Sequence, residues 1–344
     1  MSNTTRENLI TALEGGTPQR TPLSVYSWMA DDFLADKWKR LYDRGLGICH
    51  HCEVIEEIVE GVKEMRVEET RSDGTYLIER KETPVGSLQQ VHRDGWQIEY
   101  WIKTPADYKV MTWIMEHTEL VPRYEVFEKG NEAVGDWGLA VILASRTPAM
   151  KINVDWAGTE QFCMDVAMEV PELFELYEAR KKLFLRETEM IAKGPGRYVK
   201  WLENLTINML GPQRYGDLLM SVYNEAMPIM EQGDKRVMVH YDGELKVIAD
   251  LIAAAPFHMI ESLTEPPEGN MRYDECRAIW PDKVFWANIN VDLYYKPIAA
   301  LRQAVIDKRQ RAGKKALAFE ISEDLPSNWR ETIPVVLDTL EKMD

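Results

Sequence analysis

The chain predicts an α/β fold, a closed (β/α)8 barrel, on three observations. From Tyr198 to the C-terminus, five short β-rich runs alternate with helical patterns, the rhythm of βα units on a parallel sheet. Further β-rich runs occupy the first half, and 344 residues suit eight units with an elaboration. Neither G-x-G-x-x-G nor G-x-x-x-x-G-K-[ST] occurs, so an open doubly wound sheet, the competing architecture, lacks its usual nucleotide-binding signatures.

The elements follow in order. Leu9, Ile10 and Leu13 give Arg6 to Glu14 helical spacing, and Gly15-Gly16 closes it. Pro18 and Pro22 bracket a turn, and Leu23 to Trp28 reads as the first strand. Residues 31–44 carry Phe33, Leu34, Trp38 and Leu41 on one helical side, and Gly45 to Cys52 reads as a strand. Val62–Val67, Thr75–Lys81, Gly86–His92 and Trp96–Ile102 are short β-like runs with Asp73-Gly74 and Asp94-Gly95 as hairpin turns. This is an antiparallel elaboration in the N-terminal third, an insertion of about 62–102 in a single domain spanning 1–344.

Pro105 opens helices through about Lys129, and Leu139–Ala144 is a strand. A helix starts at Thr159, and another runs from Pro171 to the Gly194-Pro195 stop. Then come strand 198–206, a mostly helical 212–231 with Pro228 inside, strand 236–240, helix 244–254 and strand 257–262. Helix 271–280, strand 284–289, helix 297–312, strand 316–321 and helix 328–342 complete the chain.

A formal net charge of −16 argues against a nucleic-acid or anionic-membrane partner, since phosphate binding needs a basic surface. No apolar run approaches the ~20 residues of a membrane span, and the first residues lack a signal-peptide core, so a cytoplasmic protein is expected. Cys49-His-His-Cys52 is the most metal-like tetrapeptide, but no second Cys/His cluster completes four ligands, which favours a buried segment without metal. Cys276 sits in a predicted helix and reads as half-buried.

In a barrel, polar residues at the C-terminal ends of strands converge on one mouth. Those ends offer Glu203 and Asn204, then His240 and Asp242, then Glu261, Asn288 and Glu320. Met238, His240 and Asp242 share one strand face, as do Ala318, Glu320 and Ser322. His240, Asp242, Glu261 and Glu320 are therefore expected to meet. One imidazole with carboxylates suits Zn2+, and without a metal the carboxylates would suit acid–base work. Tyr26, Trp28, Trp137, Trp156 and Trp286 are aromatic candidates for the wall of an apolar pocket.

Several stretches carry a resemblance. Arg6-Glu7-Asn8, Ala12-Leu13-Glu14-Gly15-Gly16 and Pro18-x-Arg20-x-Pro22 resemble the opening of uroporphyrinogen decarboxylase-like proteins. Thr83-Pro84-Val-Gly86-Ser-Leu88, Glu203-Asn204 with Gly211-Pro212, His240-x-Asp242-Gly243 and Ile321-Ser-Glu-Asp-Leu-Pro326-Ser-Asn328 resemble later motifs of that superfamily. The resemblance spans the chain and implies a (β/α)8 fold.

True decarboxylases of this kind carry an arginine-rich N-terminal segment for their substrate's carboxylates. Here Pro22 to Asp32 has no arginine and two aspartates, which would repel a polycarboxylate. The other branch resembles cobalamin-dependent methyltransferases, whose zinc ligands are a His-x-Cys and a Cys on the last strand. The matching positions are His240, Asp242 and Glu320, carboxylates standing for both thiolates. That departure points away from a thiol acceptor and towards demethylation of an aryl methyl ether, or of a methylamine or betaine, with zinc as Lewis acid. With Glu261 added from the strand-end reading, the expected metal ligands are His240, Glu261 and Glu320, with Asp242 a further ligand or a partner of one, and Asp242 and Glu261 are the catalytic candidates. Glu203, Asn204, Tyr26, Trp28 and Asn288 are substrate candidates. The methyl group would pass to cob(I)alamin on a separate corrinoid protein, because no D-x-H-x-x-G motif is present. Alternatives are a metal-independent decarboxylase-like lyase using Asp242 or Glu261 for protons, and a non-catalytic barrel that binds a corrinoid protein.

Overall fold

The computed structural model describes residues 3–30, 32–205 and 207–344, so Asp31 and the end of the predicted strand 198–206, Thr206, lie outside the described residues. Its strands are β1 (Leu23–Tyr26), β2 (Leu46–Cys52), β3 (Ile55–Val59), β4 (Lys63–Arg71), β5 (Gly74–Thr83), β6 (Gly86–Arg93), β7 (Trp96–Glu99) and β8 (Thr118–Pro122). Then follow β9 (Gly138–Ala144), β10 (Tyr198–Trp201), β11 (Arg236–His240), β12 (Met259–Leu263), β13 (Val284–Asn288) and β14 (Leu317–Ile321). Eight of them close a parallel barrel in the order β1-β14-β13-β12-β11-β10-β9-β2, as the βα rhythm predicts.

The elaboration is real but larger than expected. β4 to β7 form a four-stranded antiparallel sheet whose hairpins turn at Asp73-Gly74 and Asp94-Gly95. A second ribbon pairs β3 with β8. The expected helical stretch from Pro105 to Lys129 is instead helix Pro105–Glu116, strand β8 and helix Tyr124–Val134. Alternation explains the strand: Thr118 and Leu120 are buried while Glu119 is exposed. Elsewhere the predicted helices shorten at their ends, 31–44 to Asp36–Tyr42 and 244–254 to a 3-10 turn plus Ala249–Ala254.

Two apolar layers result. Outward-facing barrel residues such as Val199, Trp201, Val237, Val239 and Phe319 pack under the helices. Inward-facing Leu139, Val141, Tyr198, Met238, Met259, Val284, Trp286 and Ala318 fill the lower barrel. The first helix, Thr5–Leu13, starts from a capping box in which Thr4 and Glu7 exchange hydrogen bonds. It adds Leu9, Ala12 and Leu13, all fully buried, to that inner core. Each fully buried leucine is worth roughly 1.5–3 kcal/mol. The helix therefore plugs the N-terminal end of the barrel, and the polar interior faces only the C-terminal mouth.

Candidate active site in the barrel interior

Strand alternation aims polar side chains from six of the eight barrel strands into the upper barrel. Tyr26 leaves β1, Cys49 and His51 leave β2, Lys200 leaves β10, His240 leaves β11, Glu261 leaves β12 and Glu320 leaves β14. Tyr26 is paired with Cys49 across β1–β2, and His240 with Glu261 across β11–β12. All of these except His51 are at most 5% exposed.

Glu261 is the hub. Its Oε1 accepts from the Lys200 ammonium at 2.6 Å and from the Tyr26 hydroxyl. Its Oε2 lies 2.6 Å from His240 Nδ1. Lys200 also donates to Tyr26 Oη at 3.0 Å and sits 4.4 Å above that ring. Burial alone would raise the Glu261 pKa, but the Lys200 and His240 charges outweigh it and hold the carboxyl well below its ordinary range. Burial would lower the pKa of His240. Glu261, with Asp242 3.5 Å from Nε2, more than offsets that and keeps the imidazole more basic than usual. Asp242, half-open at 38% side-chain exposure, is held below its usual range by His240 against the opposing effect of burial.

Glu320 differs. Burial and the negative charge of Glu261 raise its pKa well above the carboxylate range, against the pull of Lys200, which favours the protonated acid. Its Oε1 accepts the Ser262 backbone N–H at 3.0 Å, and Tyr26 Oη lies 3.5 Å away. Its Oε2 is buried without a partner, as is His51 Nε2. The Ser262 contact depends on an irregularity: the β12–β13 register shifts between Glu261 and Leu263, and Ser262 has a φ of 59°. Such a conformation costs on the order of 1–3 kcal/mol in a non-glycine residue. It turns the Ser262 N–H towards Glu320 and its hydroxyl to Ser322, 2.6 Å away.

The structure thus brings together four of the expected residues, His240, Asp242, Glu261 and Glu320, with Tyr26 beside them. Trp28 is 63% exposed at the mouth and stacks on Tyr26 at 5.8 Å. Three substrate candidates take other places. Glu203 faces the helical layer, accepting from Thr147 Oγ1 at 2.9 Å and Tyr223 Oη at 3.0 Å. Asn204 has a left-handed φ of 51°, and its side-chain oxygen accepts from Arg146 Nη1 at 2.7 Å. Asn288 braces the loops after β12 and β14, donating to Thr264 Oγ1 at 3.3 Å and to Glu323. Glu203 continues the outward face of Val199 and Trp201, and β10 ends at Trp201, before Asn204. Trp286 lies in the inner core, donating to Ser24 Oγ at 2.9 Å, while Trp137 packs on Tyr42. Cys276 is fully buried in its helix, more so than expected.

Sequence reasoning missed Lys200, Cys49 and His51 as inward residues. The signal for Lys200 was a lone cation inside the apolar run Tyr198-Val-Lys-Trp201, on the same face as buried Tyr198.

The expected zinc can be tested against the donors. Glu320 Oε2 has no partner, His240 Nε2 faces Asp242 at 3.5 Å, and Nδ1 is already held by a carboxylate, as in many metal-bound histidines. Against this, both Glu261 oxygens are engaged and the Glu320 pKa is raised, which opposes the carboxylate a metal needs. Among the described residues, no group of three or more His, Cys, Asp or Glu side chains is placed to hold a metal ion. The four-ligand set does not fit zinc as these side chains stand.

No known family model and no curated protein sequence matches this chain. Among solved structures, it is similar to a methyltransferase from Methanosarcina mazei, with a TM-score of 0.58 at 9% identity over 99% of each chain. A B12-independent methionine synthase from Shewanella sp. W3-18-1 aligns with a TM-score of 0.45 at 8% identity, over 89% of this chain and 85% of that one. At these identities the likeness to the first shows the fold: the whole chain follows one barrel plan.

Proposed function

We propose that this chain is a methyltransferase that demethylates a small methylated compound at the barrel mouth, an aryl methyl ether being the favoured donor. The observation that carries the reading is Glu320: a fully buried carboxyl whose pKa is raised and whose Oε2 has no partner among the described residues. Breaking a methyl–oxygen bond by attack on the methyl carbon leaves an electron pair on oxygen, and that oxygen needs a proton. The Glu320 O–H supplies it, and the carboxylate that results lies in the field of the Lys200 ammonium. His240, held by Glu261 and Asp242 and more basic than usual, is a second proton reserve.

The acceptor in this reading is cob(I)alamin on a separate corrinoid protein, as the sequence resemblance implies, and it supplies the nucleophile. Half-open Asp242 and exposed Trp28 mark the side from which such a partner would approach. The methyltransferase named among the similar folds supports the reading as well. No step is routed through a metal, because the donor set does not assemble one.

The test incubates the purified chain with reduced cobalamin and a panel of methoxylated aromatics and methylated amines. Conversion to methylcobalamin, followed by absorbance, is the expected result, with Glu320→Gln slower by about a hundredfold or more. Carbon dioxide release from a carboxylated substrate, without methyl transfer and without a corrinoid, would replace this reading by the lyase one.

A further inference from the structure

The resemblance expects a divalent metal at the barrel centre, yet the centre already holds a cation. Lys200 Nζ lies 2.6 Å from Glu261 Oε1 and 3.0 Å from Tyr26 Oη, with its side chain 1% exposed. Its charge acts on every donor around it: it opposes protonation of His51 and His240 and favours ionisation of Cys49 and Glu320. It reaches that place from a strand, not a loop. Lys200 is registered between Leu143 of β9 and Met238 of β11, so barrel closure fixes its root. Through Glu261 it also fixes the imidazole, since the opposite carboxylate oxygen holds His240 Nδ1.

We infer that the Lys200 ammonium is the built-in cation of this site, standing in for a metal: it neutralises and orients Glu261, and so His240, and it keeps divalent ions out of the donor set. Two physical points carry this. A divalent ion among His240, Glu261 and Glu320 would face an ammonium already bonded to the same hub, and like charges at such range repel strongly in a buried site. Glu261 has no oxygen free to turn towards an ion without giving up Lys200 or His240. Lys200 is in this sense a positioning residue. The inference concerns the same interior as the methyl-transfer reading but does not depend on it, because metal content is read without turnover.

The experiment measures zinc by elemental analysis in the full-length chain. It is done as purified without added metal, and again after equilibration with Zn2+ and gel filtration. Co2+ titration followed by visible absorption reports ligand type independently. The unaltered chain is expected to hold zinc only substoichiometrically. Lys200→Met, and Lys200→Gln as the better-hydrated neutral variant, are expected to bind Zn2+ tighter by on the order of a hundredfold or more. Lys200→Arg, which keeps the charge, should not gain. Stoichiometric zinc in the unaltered chain that is lost in His240→Ala would overturn the inference. So would a folded neutral variant, judged by circular dichroism, with no gain in affinity. Should both neutral variants fail to fold, the unaltered chain and Lys200→Arg still decide it: zinc in either at stoichiometry counts against.

Discussion

Glu261 and Glu265 are four residues apart, both are buried and both pair with lysine, yet they belong to opposite kinds of site. Glu265 lies in the outer layer. It accepts from Arg311 at 2.7 and 2.5 Å, from Lys308 at 3.1 Å and from the Tyr273 backbone N–H at 2.9 Å. Lys308 passes on to Asn290 at 2.6 Å, and no buried nitrogen or oxygen of Glu265, Lys308 or Arg311 lacks a partner. Around Glu261 the saturation stops one residue away: Glu320 Oε2 and His51 Nε2 are buried and unpaired. A closed ion cluster ties elements together, whereas a cluster with unpaired atoms spends stability that only a ligand or a reacting group can return. The comparison therefore assigns structure to the outer site and chemistry to the inner one.

The largest expected effect separates the two lysines. Lys200→Met leaves the buried Glu261 with only His240 and Tyr26 as partners and no ammonium beside it, and should cost roughly 3–5 kcal/mol of unfolding free energy in urea. Lys308→Met leaves Arg311 on Glu265 through two hydrogen bonds, and should cost about 1–2 kcal/mol. Equal losses would break the comparison.

Next come the two acids. Glu320→Gln should lower the turnover number by about a hundredfold or more while changing stability by less than about 1 kcal/mol. Glu265→Gln should do the reverse, losing about 2–3 kcal/mol with turnover unchanged. Turnover and urea midpoints measured on both variants decide the matter, and a Glu265 variant with crippled turnover would undo the division.

A third expectation sharpens the comparison with a second outer-layer carboxyl. Burial raises the Glu203 pKa from 4.5 to about 7, despite hydrogen bonds from Thr147 and Tyr223. Because the folded value lies above the unfolded one, the stabilisation is fully present below about pH 4.5 and is lost as pH rises through 7. The span is on the order of 3 kcal/mol at most. Glu203→Gln should flatten the fall in melting temperature between pH 5 and pH 8, to be read by thermal denaturation in matched buffers. Parallel curves for the two proteins would mean that Glu203 does not titrate there. The smallest effect is at the rim: Trp28→Ala should move stability by less than about 0.5 kcal/mol, since the side chain is 63% exposed. It should raise KM for an aromatic donor by roughly threefold to tenfold, and an unchanged KM would remove Trp28 from the substrate path.

The barrel, and most of the residues that meet at its mouth, are legible in the chain alone. Period-two and period-3.6 patterns are local properties, and five βα repeats leave few topologies open. His240, Asp242, Glu261 and Glu320 were legible as strand-end residues for the same reason. β3 and β8 were not, because five-residue strands that pair across about sixty residues carry little local signal. Nor was Lys200: alternation says that Tyr198 and Lys200 share a face, but only closure of the sheet says which face is inside. Tertiary structure alone decided the rest. Closure put Lys200 inside and so, by alternation, Glu203 in the outer layer with Val199 and Trp201, and the register shift at Ser262 aimed a backbone N–H at Glu320. Barrel closure then set an ammonium, not an open metal shell, among the donors. Each is a fact of long-range register, and register is fixed by packing across strands that a linear chain does not spell out.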